Sequence, residues 1–110
     1  MAGNYWILKH YIWNTLQRKI IHIVGTGTVG EPLIGLLCDY QKQLGIDEVT
    51  FSKSAPLKDD KSKVLDLVDR GARLCVKDGL EKRFKKLGMD PDLESTEAIK
   101  RATVVIDCRP

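Results

Sequence analysis

Cysteine is scarce in this sequence, and the three cysteines present are widely spaced. Cys38, Cys75 and Cys108 form no C-x-x-C pair, and their number is odd. A disulfide framework needs an even set and a structural zinc site needs closely spaced pairs, so neither is expected. The pattern favours a reducing compartment, and we expect a cytoplasmic protein without a metal site.

Long apolar runs are absent as well. No run of the sequence approaches the roughly 20 apolar residues that a membrane span needs. The apolar cluster near the N-terminus is interrupted by Lys9 and His10 and lacks the ending of a cleaved signal peptide. We therefore expect neither a signal peptide nor a membrane partner.

A basic stripe across the folded body is also missing. The net charge is +3, and the first twenty residues contain Lys9, Arg18 and Lys19 with no acidic residue. The other fifteen basic residues are balanced by fifteen acidic ones. A nucleic-acid-binding domain usually concentrates its positive charge on one face, so we expect no nucleic-acid partner.

What is present is one alternating α/β domain behind a short extension. Residues 1–19 contain apolar side chains at helical spacing over 5–17, and residues 20–110 alternate strand and helix patterns. This alternation predicts right-handed crossovers and a Rossmann-like parallel sheet of order 3-2-1-4, with helices on both faces. The strands are predicted at 19–24, 48–52, 72–76 and 102–108, and the helices at 29–43, 60–70 and 79–87, with a short helix from 95. Residues 89–95 are expected to form a loop or a very short strand.

A G-x-G-x-x-G motif connects the first strand to the first helix. Gly25 is expected to make the tight turn, Gly27 to let a diphosphate approach the backbone, and Gly30 to let the helix pack closely. The intervening Thr26, Thr28 and Val29 complete the loop. The free amides of Thr28 and Val29, together with the helix dipole, are expected to face the anion. The motif therefore predicts a dinucleotide cofactor.

The end of the second strand bears on which dinucleotide binds. An NAD site usually has an acidic residue about 20 residues beyond the glycines, bonded to the ribose. This chain instead has Ser52, Lys53 and Ser54 there. A lysine between two hydroxyls suits a 2′-phosphate, so NADP is favoured over NAD.

Four segments resemble the N-terminal NAD(P)-binding domain of archaeal-type (type II) glyceraldehyde-3-phosphate dehydrogenases: "VGTGTVGEPL", "VTFSKSAP", "GLEKRFKKLGM" and "ATVVIDCRP". The resemblance implies that Thr28 and Val29 touch the cofactor phosphates and that Ser52 and Lys53 lie by the adenosine ribose. It also implies that Cys108, Arg109 and Pro110 pass near the cofactor. Homoserine dehydrogenase and other semialdehyde-type enzymes share the "GTGTVG" segment.

The resemblance places the catalytic cysteine and histidine of the family in a domain that this sequence does not contain. We therefore expect a cofactor-binding domain of an oxidoreductase that is not catalytic alone. His22 is expected to be a packed core residue, and Cys108 lacks an evident base. The alternative is a stand-alone nucleotide-binding or sensor module. The last strand, at an open sheet edge, is expected to be covered by a second copy, by the 5–17 helix or by the missing catalytic domain.

Overall fold

The computed structural model of the protein describes residues 18–110, so the helix predicted over 5–17 lies outside the described residues. Five strands alternate with five α-helices and one 3₁₀ turn. The strands are β1 (Ile20–Val24), β2 (Glu48–Lys53), β3 (Arg73–Val76), β4 (Leu93–Glu94) and β5 (Val104–Asp107). The helices are α1 (Gly30–Asp39), α2 (Gln41–Leu44), α3 (Lys61–Asp69), α4 (Glu81–Lys86) and α5 (Ser95–Arg101), and the 3₁₀ turn is Lys58–Asp60.

All five strands form one parallel sheet in the order β4-β3-β2-β1-β5. The predicted α/β class with a parallel sheet is therefore confirmed. The predicted sheet of four strands is one strand short, because β4 adds to the free edge of β3. Only two residues of β4 pair, Leu93 with Cys75 and Glu94 with Val76. Two residues are too few to give a periodic signal in the sequence.

One face of the sheet is apolar and carries the core. Ile23, Phe51 and Leu74 project from neighbouring strands and are at most 1% exposed. Helices α1 and α3 cover this face with Ile34, Leu37, Val64 and Leu67. Each such side chain contributes about 1.5–3 kcal/mol through burial.

Two details of the predicted helices are wrong. The apolar residues Val64, Leu65, Leu67 and Val68 are all predicted from the sequence to point inward from α3, but Leu65 and Val68 are 37% and 39% exposed. Val64 and Leu67 already fill the narrow stripe that a helix presents to a sheet. The helix predicted over 29–43 is divided at Tyr40, whose backbone leaves the helical region at φ −107° and ψ 16°.

The opposite face of the sheet is polar at its centre. Side chains alternate between faces along a strand, so the register places His22, Thr50 and Ser52 together on this side. Helix α5 covers them, with Ala98 buried and with contacts to β1, β2 and β3. The sheet therefore has helices on both faces, as predicted.

Strand β5 differs most from its sequence-based expectation. Its apolar sequence predicts burial on both faces, yet Val104 and Val105 are 47% and 44% exposed. Within residues 18–110, β5 pairs with β1 alone and has a free edge. The edge position explains the exposure, because α1 and α5 lie over the more central strands.

Candidate functional site

The first and third glycines of the loop are required by the packing of the protein itself. Gly25 adopts φ +103°, a conformation that side-chain-bearing residues rarely adopt. A Cβ atom on Gly30 would lie 2.0 Å from the carbonyl oxygen of Gly25, so only glycine fits there. These two residues let α1 start directly against the turn that follows β1.

Gly27 has no such structural requirement. A Cβ atom built on it would meet no atom of the protein within 4 Å, and its φ lies outside the left-handed region. The space in front of its backbone is therefore open. Of the three glycines in the motif, Gly27 is the one whose missing side chain leaves room for another molecule.

The N-terminus of α1 begins beside this open space. The amides of Glu31 and Leu33 donate to the carbonyls of Gly27 and Val29, at 3.1 and 3.3 Å. Within residues 18–110, the amides of Thr28 and Val29 donate no hydrogen bond, and no side chain caps the helix. Unpaired amides and the positive end of the dipole of a ten-residue helix favour an anion here.

A pocket of about 640 Å³ adjoins the loop at the carboxyl ends of the strands. Its size is within the range of small-molecule sites, about 300–1,000 Å³. Ends of β1, β2 and β3, the start of α5 and the segment after β5 all contribute to it. The lining residues are Val24, Gly25, Thr26, Ser52, Lys53, Ser54, Ala55, Leu57, Lys77, Asp78, Ser95, Thr96, Ile99 and Arg109.

Lys53 lies in the pocket wall but is already paired. Its side chain is 8% exposed, and its ammonium is 2.6 Å from a carboxylate oxygen of Asp60. The ammonium also donates to the hydroxyl of Thr26 at 3.4 Å. The 3₁₀ turn after β2 brings Asp60 to this position. Lys53 therefore connects the glycine loop to that turn. The sequence analysis did not predict this connection.

Ser52 connects the pocket to a buried histidine. Its hydroxyl is 2.5 Å from His22 Nε2, and the other ring nitrogen of His22 is 2.6 Å from the hydroxyl of Thr50. His22 is fully buried, as predicted for a core residue, and burial lowers its pKa. The neutral ring thus joins two hydroxyls of β2, one of which lines the pocket.

The segment after β5 closes the pocket beside Gly25. The amide of Cys108 donates to the carbonyl of Val24 at 2.8 Å, and Arg109 lies against Gly25. The guanidinium of Arg109 donates two hydrogen bonds to Asp107, which lowers the pKa of Asp107 to about 2. Cys108 lies near Gly30, and Pro110 is exposed outside the pocket lining.

The structure brings together half of the predicted site residues in the pocket and places the others around α1 and β5. Those in the lining are Gly25, Thr26, Ser52, Lys53, Ser54 and Arg109. The sequence reasoning missed the residues that follow β3 and begin α5. Asp78 accepts a hydrogen bond from the Thr96 hydroxyl at 2.8 Å and joins these two segments. Their position after the carboxyl ends of strands could have identified them.

Two negative observations apply to residues 18–110. None of their helices has the length and apolar character needed to cross a bilayer. No three His, Cys, Asp or Glu side chains among them are grouped closely enough to hold a metal ion.

Comparison with known proteins gives no match. No family model matches the chain, and no curated protein or solved structure matches it. These comparisons do not identify a glyceraldehyde-3-phosphate dehydrogenase-type domain, so the resemblance of the four segments stays an expectation. Function has to be argued from the site.

Proposed function

We propose that residues 20–110 form a dinucleotide-binding domain, with NADP favoured over NAD. The diphosphate would lie at the N-terminus of α1, against the amides of Thr28 and Val29. The adenosine half would enter the adjoining pocket, where Ala55, Leu57 and Ile99 offer apolar contact. Both parts lie at the carboxyl ends of parallel strands, where open α/β sheets usually bind ligands.

The single observation that carries this proposal is the open space at Gly27. A loop that only joins a strand to a helix would need Gly25 for its positive φ and Gly30 for close packing. It would not need a glycine at 27, where a Cβ atom meets nothing within 4 Å. A ligand whose phosphate or backbone approaches the main chain at this point would explain why residue 27 is glycine.

The charge of the pocket supports an anionic ligand and the choice of NADP. Lys53, Lys77 and Arg109 line it, against the one carboxylate of Asp78 in the lining. Asp60 and Asp107 neutralise two of these cations. A 2′-phosphate would compete with Asp60 for Lys53, so we expect the preference for NADP to be modest.

For an oxidoreductase that contains this cofactor-binding domain, we propose hydride transfer between an aldehyde and NADP(H). This is the reaction of the glyceraldehyde-3-phosphate dehydrogenases that the motifs resemble. The described residues would supply the cofactor site, and none is proposed as catalytic. A stand-alone nucleotide-binding or sensor module and the cofactor domain of a homoserine or semialdehyde-type dehydrogenase are the alternatives. Aldehyde-dependent formation of NADPH by this chain would contradict the non-catalytic role.

Replacing Gly27 tests the binding proposal directly. We expect Gly27→Val to weaken NADP and NAD binding at least about tenfold, because the side chain occupies the approach to the amides. The melting temperature without ligand should stay near that of the wild type. Ser62→Val, a small residue in the first turn of α3, is the matched control. Calorimetry showing unchanged nucleotide affinity in folded Gly27→Val would refute the proposal.

A further inference from the structure

The hydroxyl of Thr50 has one available partner. Thr50 is fully buried, and its Oγ1 is 2.6 Å from His22 Nδ1. No other hydrogen-bond partner of this hydroxyl occurs among the described residues. A buried hydroxyl proton without an acceptor is unfavourable, because the group gives up water and gains nothing in exchange. Thr50 therefore donates its proton to Nδ1.

This donation determines where the proton of the imidazole ring lies. A neutral imidazole has one N–H, and its other nitrogen is an acceptor. Since Nδ1 accepts from Thr50, the proton of His22 is on Nε2. That nitrogen is 2.5 Å from the hydroxyl oxygen of Ser52, so the ring donates to Ser52.

We propose that Thr50 and His22 together fix Ser52 as a hydrogen-bond donor to an oxygen atom of the ligand in the pocket. The oxygen of Ser52 accepts from the ring, which leaves its own proton free, and Ser52 lines the pocket. The acceptor would be a ribose or phosphate oxygen, so this inference rests on the proposed nucleotide site. His22 and Thr50 are positioning residues because neither lines the pocket.

The position of the ring proton can be measured by nitrogen-15 NMR of the full chain. The protein has two histidines, His10 and His22, so a His10→Gln variant assigns the signals. We expect His22 to be neutral at neutral pH with its proton on Nε2, both with and without nucleotide. A proton on Nδ1, or a doubly protonated ring, would overturn the inference.

Variants at Thr50 test the effect on binding without changing the pocket lining. Thr50→Val removes the donor, so part of the His22 population should move its proton to Nδ1. Ser52 must then donate to the ring, and NADP affinity should fall by about three- to tenfold. Thr50→Ser keeps the donor and should restore both the spectrum and the affinity. If Thr50→Val does not fold, the wild type, Thr50→Ser and Ser52→Ala still test the inference, and Ser52→Ala should weaken NADP binding similarly.

The two proposals fail in different ways. If NADP binds normally while the His22 proton is on Nδ1, the inference falls and the nucleotide site stands. If neither NADP nor NAD binds while the proton is on Nε2, the nucleotide site falls and the role of Ser52 toward its ligand falls with it. A switch of the ring proton in Thr50→Val with unchanged affinity also overturns the inference.

Discussion

The ammonium of Lys53 lies 2.6 Å from a carboxylate oxygen of Asp60 in the wall of the pocket. The positive charge that the sequence offers to a 2′-phosphate is thus partly neutralised by an acid of the protein itself. Under the proposed function, this pairing would let a residue outside the pocket lining adjust the preference between NADP and NAD.

Removing the acid should increase the affinity for NADP. In Asp60→Asn, we expect NADP to bind about three- to tenfold more tightly, because Lys53 no longer has a competing carboxylate. NAD affinity should change little. Calorimetric titration with both cofactors measures the ratio. Asp59→Asn, an exposed neighbour with the same change of charge, is the control, and an equal gain there would contradict the specific role of Asp60.

Glu48 should contribute to stability above mildly acidic pH. It is 9% exposed, and it accepts hydrogen bonds from Arg73, Arg18 and Arg101. Burial alone would raise the pKa of Glu48, but the hydrogen bond from Arg73 and the three positive charges lower it. Removing one partner of a fully buried ion pair costs about 3–5 kcal/mol. Arg18 is largely exposed, and solvent weakens its interaction with Glu48. We therefore expect a smaller effect, in which Glu48→Gln lowers the free energy of unfolding by about 1–3 kcal/mol at neutral pH.

The pH dependence of this effect has a definite sign. A depressed folded-state pKa gives stability that is fully present above the unfolded value, about 4.3. That stability is lost as the pH falls through the lower folded-state pKa. Urea denaturation of the wild type and Glu48→Gln should therefore converge in acid. Asp90→Asn, an exposed carboxylate, should show no comparable difference at either pH.

The three glycines of the loop should differ sharply in their tolerance of alanine. Gly30→Ala places a methyl group 2.0 Å from a backbone oxygen and should lower the free energy of unfolding by about 2 kcal/mol or more. Gly27→Ala places it in open space and should change stability by less than about 1 kcal/mol. Denaturant unfolding compares the two, and equal losses would contradict the loop geometry.

The edge of β5 that has no partner strand among residues 18–110 should mediate self-association. Val104 and Val105 are exposed on opposite faces of this strand, and an apolar edge strand favours pairing with another chain. We expect a dimer in light scattering, and we expect Val105→Lys to shift it toward the monomer. Val68→Lys, an exposed valine on α3, is the control. A wild-type chain that is monomeric at all concentrations would contradict this prediction.

The order of strands and helices along the chain could be read from the sequence because apolar periodicity and glycine positions are local signals. The G-x-G-x-x-G loop was found for the same reason. The pairing of Lys53 with Asp60 could not be predicted, because it depends on the path of the loop between β2 and α3. The hydrogen bonds of His22 likewise require the register of β1 against β2, which no local pattern specifies. Strand β4 could be anticipated only as an alternative to a loop over 89–95, because two residues give no periodic signal.

Strand β2 separates two groups of charged residues by its length. Glu48 is the first residue of the strand and is paired with arginines, whereas Lys53 is the last residue and lies in the pocket wall. At about 3.3 Å per residue, the two positions are about 16 Å apart. Changes at sites this far apart usually combine additively. Under the proposed function, substitutions at the Lys53 end of β2 would change nucleotide preference, and substitutions at the Glu48 end would change thermal stability. The properties of the combined protein would then follow from the separate variants.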